Sequence, residues 1–490
     1  MRLSEKLIFD KLYEKYPDSP VLNEIYYAFS TVAGYHSMFK NVNLFIKHLM
    51  DPTEKHEVQF SKTNIANSSS FTDFRFKYLK LKYFRGILSG PDDGYLGIDF
   101  RGPNPNQMPS MIMLGHNGCG KTSLYNAMEY LFTEDIALAR KHNFDLSKAV
   151  DRERFLPNAF SNGNLSIQLD TFDGLYEYPS ATKSWTLFDH GIGVNSFFCS
   201  ESDLVLFEVD KRTISDYIKE QIGIYRFVDL LSILTLSMDE LELYLKKVYG
   251  ADLNDPSERN SLNIDDVFKL DNKDDLDELY KDLKQLTSLL REEVELQSAD
   301  ALVEIKDILD RLLKDVNFWN KNLQEELASL DSNNPIIINK HNGLSIDPRT
   351  YFNNFRFKMF MISLNIAIAF NYMRKPSICF PLVFDDIFNA SDFSSRSIGV
   401  KNYIKNVLNV YNEKFSSWPE LSIVLFTQDE VVADAVYKGF VEANINNDTS
   451  NKVRLCKMFN RRDLVKEPDM VAKNGEIIFY KIYDVIRKNY

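Results

Sequence analysis

Apolar positions such as Leu7, Ile8, Leu12 and Tyr13 recur at helical spacing, and the polar run SKTNIANSSS closes the pattern at 61–70. This predicts an N-terminal helical appendage over residues 1–70. From Phe74 the texture becomes strand-like alternation, FRFKYLKLKYF, followed by the turn-rich GILSGPDDGYLG and a second short strand, IDF. A hairpin or meander is therefore expected to open the main domain. The apolar run MIML at 111–114 then precedes a glycine-rich loop and a helical pattern, the order of a phosphate-binding α/β unit.

Between about 211 and 330 the chain turns acidic and helical. Leu276, Leu279, Leu283, Leu286 and Leu290 step by three and four, and Leu302, Ile305, Leu309, Leu312, Val316, Trp319 and Leu323 repeat the step. Such spacing reads as coiled-coil seams. The outgoing helix is expected at about 226–249. The tip of the hairpin falls either in the polar 251–266 or at QSAD, 297–300, where the register breaks. An arm of this length reaches only ~37 Å, and a helical lobe packed on the core is the competing reading. The last 140 residues return to α/β texture: a helix at about 352–373, the strand ICFPLVF, another helix, the strand LSIVLF, a last helix, and a hairpin-like segment around VRLCKMF and EIIFYKI. The resulting domains are 1–70, an N-terminal lobe at 71–225, a helical insertion at 226–335 and a C-terminal lobe at 336–490.

In this chain of 490 residues, apolar residues make up 44% and charged residues 26%, enough to bury a core and too apolar for a mainly disordered chain. A net charge of −12 excludes coating nucleic acid through global charge and leaves a local basic groove open. Cys119, Cys199, Cys379 and Cys456 form no CxxC or zinc spacing and read as free thiols in a reducing compartment. The start, MRLSEKLIFDKL, lacks a signal-peptide run, and the apolar stretch at 359–370 is interrupted by Ser363 and Asn365. A soluble, cytoplasmic protein with no membrane contact is expected.

Gly115-His116-Asn117-Gly118-Cys119-Gly120-Lys121-Thr122 is a complete GxxxxGK[ST] match between a strand and a helix, with Ser123 following. Glycines let backbone amides converge on phosphate oxygens, the helix N-terminus adds partial positive charge, Lys121 neutralises the β- and γ-phosphates, and Thr122 can ligate Mg²⁺. Nucleotide binding, with ATP and Mg²⁺, is the expectation. Such a site needs an acid at the end of another buried strand, and Phe380-Pro381-Leu382-Val383-Phe384-Asp385-Asp386 supplies two. Asp385 is the candidate metal ligand and Asp386 the candidate general base; a solvated turn is the plain alternative. On the strand Ile423-Val424-Leu425-Phe426, the terminal Thr427-Gln428-Asp429 can reach a γ-phosphate or its water, or be an ordinary turn.

These three pieces, with a coiled-coil insertion between the first and second, resemble the ABC-type ATPases of the SMC, RecF and Rad50 group over about 74–480. The resemblance implies an α/β P-loop NTPase of ABC type: a mixed sheet core, an antiparallel β subdomain, a short helical or coiled-coil insertion and the N-terminal helical appendage. Leu79-Lys80-Leu81-Lys82-Tyr83-Phe84-Arg85-Gly86 looks like the group's first strand, which places Arg85 near the nucleotide. Asn389-Ala390-Ser391-Asp392 after Asp385-Asp386 is similar to the D-loop, whose last Asp contacts the opposite subunit. Asp386 stands where the group has Glu, and Gln428 where it has His. The signature motif resolves best to Phe352-Asn353-Asn354-Phe355-Arg356, making Asn353 and Arg356 nucleotide contacts in trans. The Q-loop falls in 197–204, with Glu201 for Gln; buried phenylalanines and an incidental acidic loop are its alternative.

The short arm and degenerate signature look like the stand-alone ATPases of bacterial anti-phage defence systems of Septu, retron-associated or PARIS type. That likeness implies a slow ATPase acting as a dimeric or higher-order switch or sensor for a separate effector, a nuclease or toxin, with DNA as a further partner. Other readings are a non-hydrolysing nucleotide-gated scaffold, a repair ATPase of RecF or Rad50 type, and a small-molecule kinase.

Overall fold

Uninterrupted apolar runs such as MIML and IVLF suit strands covered on both faces, whereas the alternation of FKYLKLK suits a sheet with one buried face. A computed structural model shows a sheet of each kind, beside a three-stranded sheet of 327–329, 337–339 and 345–346 and a pair of 72–73 with 378–379. It describes residues 3–30, 45–46, 49, 60, 71–87, 95–102, 104–159, 161, 163–179, 194–201, 225–249, 273–314, 316, 327–329, 337–339, 345–346, 354–374, 377–388, 395–443, 452–458 and 479–480. The strands are β1 (Thr72–Asp73), β2 (Phe76–Lys82), β3 (Leu96–Asp99), β4 (Ser110–Gly115), β5 (Ser166–Thr171), β6 (Leu175–Tyr178), β7 (Phe198–Ser200), β8 (Leu327–Ser329), β9 (Ile337–Asn339), β10 (Ser345–Ile346), β11 (Ile378–Cys379), β12 (Leu382–Asp385), β13 (Ile423–Thr427), β14 (Val453–Met458) and β15 (Phe479–Tyr480). The helices are α1 (Leu3–Lys15), α2 (Pro20–Ser30), α3 (Lys121–Thr133), α4 (Ala137–Lys141), α5 (Ala149–Phe155), α6 (Tyr225–Tyr249), α7 (Lys273–Leu312), α8 (Asn354–Arg374), α9 (Val400–Lys414) and α10 (Glu430–Ala443).

The central sheet runs β15-β14-β4-β13-β12-β7, parallel throughout except for the antiparallel β15. Its register pairs Leu114 with Thr427, and Asp385 with both Phe426 and Ser200, so the carboxyl ends of β4, β13, β12 and β7 share one edge. Ligands of open parallel sheets bind at that edge. The second sheet, β3-β2-β5-β6, is antiparallel and buries Phe76, Leu79, Leu81, Ile167 and Leu169. Phe76 stacks on Phe132 of α3 at 5.9 Å, and Phe380 lies 4.8 Å from both Phe132 and Phe197. These rings tie β2, α3 and the segments leading into β7 and β12 together beneath the carboxyl edge. At about 25 cal/mol per Å² of buried apolar surface, each buried ring contributes on the order of 2 kcal/mol.

The chain divides into two compact units. One comprises residues 1–64, 187–192 and 219–300, and the other 65–186, 193–218 and 301–490. In the first, Phe9 meets Tyr26 and Phe29 edge-on at 5.1 and 5.3 Å, and Phe227 of α6 stacks on Phe29 at 4.8 Å. The fully buried Glu5 carboxylate pairs with Arg226 at 3.2 Å, and the Ser19 hydroxyl donates to Asp282 of α7 at 3.1 Å. The opening helices thus share one core with α6 and the first part of α7.

Residues 297–300 are not a tip, because α7 runs through them without a break. The buried positions pass from Leu290 and Val294 to Ser298, Ala301, Leu302 and Ile305. Four-residue steps shift a helix's buried stripe without ending the helix. The alternative tip at 251–266, with Trp319 and Leu323 of the second seam, lies outside the described residues.

Candidate functional site

β4 ends at Gly115, and 116–120 turn the chain into α3. Gly118 and Gly120 have φ of 82° and 98°, a region costly for any L side chain. At Gly120 a Cβ would also lie 2.6 Å from Ile87 Cδ1. Gly120 caps α3 without a side-chain acceptor, so the first amides of the helix are left for an anion. Lys121 is 7% exposed, and its Nζ donates to the carbonyls of Gly115 at 2.6 Å and His116 at 3.0 Å. Among the described residues no carboxylate forms an ion pair with it, and its charge is held by two peptide carbonyls with the Cys119 sulfur nearby. Asn117 and the Thr122 side chain are exposed, and Cys119 is half-buried with Sγ 4.0 Å from Lys121 Nζ.

Asp385, 6% exposed, closes β12 two strands from β4, about 10 Å across the sheet at normal strand spacing. At Asp386 the backbone enters the left-handed region, φ 53°, and its N–H donates to Phe426 O at 2.9 Å. Asp tolerates this conformation better than most residues. The turn takes the Asp386 side chain off the strand line, where Gln428 Nε2 donates to its Oδ2 at 3.4 Å. Gln428 is exposed at the end of β13, between the buried Thr427 and half-buried Asp429. Two carboxylates at the end of β12 and an amide at the end of β13 thus share the sheet edge with the glycine loop.

Arg85 stands at φ 46°, its N–H donating to Leu156 O at 2.9 Å and its guanidinium lying over the Phe155 ring at 4.1 Å. Burial pushes that guanidinium below the ordinary arginine range, while the nearby Glu129 carboxylate opposes the shift. The Asn158 side-chain amide donates to Arg85 O. Ser123 Oγ accepts from Gly86 N at 3.1 Å, joining the segment after β2 to the first turn of α3. Phe155 and Asn158 carry no motif; only their long-range packing reveals them.

The trans-acting candidates are less complete. Arg356 is half-buried in the first turn of α8, whereas Asn353 and Asp392 lie outside the described residues. Glu201, in the Q-loop candidate, is exposed and 3.6 Å from Lys358 Nζ. Phe197, Phe198 and Cys199 are buried, and β7 forms the sheet edge beside β12. Among the described residues there is no cluster of three His, Cys, Asp or Glu side chains able to hold a metal by themselves. No described helix is long and apolar enough to cross a membrane.

The mixed sheet, its glycine loop leading into a helix, the acid-bearing strand two positions away and the companion antiparallel sheet define an α/β P-loop NTPase fold of ABC type with a helical insertion. No protein-family model matches the chain, and no curated protein matches it. Among solved structures, an Smc head domain with an extended coiled coil, bound to the C-terminal domain of ScpA and derived from Pyrococcus furiosus, is similar at 13% identity. That match covers 85% of this chain and 98% of the other, with a TM-score of 0.37. The recombination mediator protein RecF with ATPrS is similar at 12% identity over 80% of this chain and 98% of its own, TM-score 0.36. An Smc head domain with a coiled coil and joint from Pyrococcus yayanosii matches at 12% identity, 85% and 99% coverage, and TM-score 0.36.

Proposed function

We propose that the protein binds ATP at the 115–123 loop and hydrolyses it slowly, as a dimeric switch or sensor that controls a separate effector. The observation that carries the reading is the placing of Lys121, Asp385, Asp386 and Gln428 along one carboxyl edge of the parallel sheet. Phosphate oxygens would displace the two carbonyls that now hold Lys121 Nζ, and the amides of the first turn of α3, with those of Gly118 and Gly120, would take the remaining phosphate charge. Asn117 and Ser123 border that cradle, Gly86 beside Arg85 bonds to Ser123, and the resemblance assigns Arg85 to the nucleotide.

The donor set suits Mg²⁺: the hydroxyl of Thr122 and the carboxylate of Asp385 would hold it, and it would supply charge neutralisation for the phosphates. Asp386 accepts the proton of the attacking water as its oxygen bonds to the γ-phosphorus and the bond to the bridging oxygen breaks, giving ADP and inorganic phosphate. Gln428 orients Asp386 through the 3.4 Å contact but, unlike His, does not carry a proton through the step. Asp386 is one methylene shorter than the Glu of related ATPases. Both substitutions favour slow turnover, which suits a switch that must hold one state.

The resemblance assigns the completing residues, Asn353, Arg356 and Asp392, to the opposite subunit, so the assembly is at least a homodimer. It also supports an anti-phage role with a nuclease or toxin as effector, and DNA as a further partner. The domains follow the same reading: appendage 1–70, lobes 71–225 and 336–490, and insertion 226–335. A non-hydrolysing scaffold is the second reading, favoured by Asp386 and Gln428 standing where Glu and His are usual. Mass in solution and phosphate release, each with ATP and with a non-hydrolysable analogue, test the proposal. A nucleotide-dependent dimer with slow phosphate release is expected. A monomer in every state at micromolar concentration overturns the shared site, and a closing dimer that releases no phosphate selects the scaffold.

A further inference from the structure

The candidate base is held by a run of contacts that ends on an arginine outside every motif. Asp386 Oδ2 accepts from Gln428 Nε2 at 3.4 Å. Gln428 is followed by Asp429, whose backbone and side chain are fixed at four points. Its N–H donates to Thr427 Oγ1 at 3.1 Å and its carbonyl accepts from Ala433 N at 3.0 Å. Oδ1 caps α10 by accepting from Val431 N at 2.8 Å, and Oδ2 accepts from Arg396 Nη1 at 2.7 Å. Arg396 lies on the helical turn Ser395–Gly399 that leads into α9, and its Nε is buried without a hydrogen bond. The Asp429 ion pair is therefore what holds the guanidinium. Its partners are 30% and 14% exposed, which screens it less than an open surface pair.

We infer that Arg396 is a positioning residue: through Asp429 it sets Gln428, and through Gln428 the Asp386 carboxylate, so the turn Ser395–Gly399 controls the geometry of the hydrolytic step. This rests on the hydrolytic reading given above. Without the ion pair, Asp429 keeps its helix cap but loses the anchor that fixes the loop's direction. Gln428, on the exposed side of the loop, then samples orientations that leave Asp386 unaligned, and misplacing a base lowers rate more than affinity.

Asp429→Asn isolates the ion pair, because the amide oxygen still caps α10. Arg396→Ala removes the guanidinium, and Arg396→Lys keeps the charge. In the full-length protein, Asp429→Asn and Arg396→Ala are expected to lower kcat about tenfold with KM within about twofold, and Arg396→Lys to recover most of the rate. Amide exchange over 427–431, read without nucleotide, should rise about tenfold in the same two variants and stay near the parent in Arg396→Lys. Unchanged exchange overturns the inference whether or not the protein hydrolyses ATP. So does a rise in KM that accompanies a fall in melting temperature at constant kcat, the mark of a merely structural pair. A parent protein that releases no phosphate counts against the hydrolytic reading instead, and the exchange measurement still decides whether Arg396 holds the loop.

Discussion

Gln428 Nε2 donates to Asp386 Oδ2 at 3.4 Å, although the residues are 42 apart in sequence and belong to the ends of neighbouring parallel strands. The contact joins the ends of β12 and β13 across the sheet edge. Asp386→Asn keeps an oxygen for that contact and loses the base. Turnover should fall by about a hundredfold or more while nucleotide affinity is retained. Single-turnover hydrolysis beside a binding titration checks this, and hydrolysis at the parent rate would reassign Asp386 to structure.

Lys121 Nζ rests on the carbonyls of Gly115 and His116, with no carboxylate among the described residues to compete for it. Lys121→Ala removes the charge that offsets phosphate repulsion. Affinity for ATP should drop by about tenfold to a hundredfold, the worth of a charge-assisted hydrogen bond in a shielded site. The melting temperature of the nucleotide-free protein should move little. Equal affinity in both proteins would remove the phosphate-loop reading.

Asp386→Glu combined with Gln428→His restores reach and proton handling together. Hydrolysis of bound ATP should speed up about tenfold if those two features limit the rate. The left-handed backbone at residue 386 is better tolerated by Asp than by Glu, so part of the gain should be offset by a small loss in stability. No gain in a single-turnover assay counts against this account of slow turnover.

The four thiols differ in reactivity. Burial pushes Cys379 up to about 12 and raises Cys456 as well, and Cys199 is buried. Burial therefore keeps Cys379 in the unreactive thiol form at pH 8. Cys119, half-buried between Gly118 and Gly120, should be the first alkylated, and saturating ATP should slow its labelling at least about tenfold because the loop then wraps phosphate. Peptide mass spectrometry after timed alkylation reads both. A labelling rate indifferent to ATP would mean that the loop does not hold the nucleotide.

Residue spacing was enough to place the glycine loop, the paired acids and the terminal Thr-Gln-Asp. A loop that cradles phosphate needs Gly118 and Gly120 at positive φ and a lysine one residue into the helix, and those demands fall within eight adjacent positions. Alternation likewise announced β2, and apolar runs announced β4, β12 and β13. Spacing is silent on which strands lie side by side. That β13 separates β4 from β12, that β14 pairs with β4 as a parallel neighbour, that Asn158 bonds to Arg85 and that Arg396 pairs with Asp429 follow from packing between segments remote in the chain. The same holds for the break in the leucine register at 297–300, which reads locally as a turn. α7 nevertheless runs through the buried Ser298, Ala301 and Leu302, because four-residue steps shift a helix's buried stripe without ending the helix.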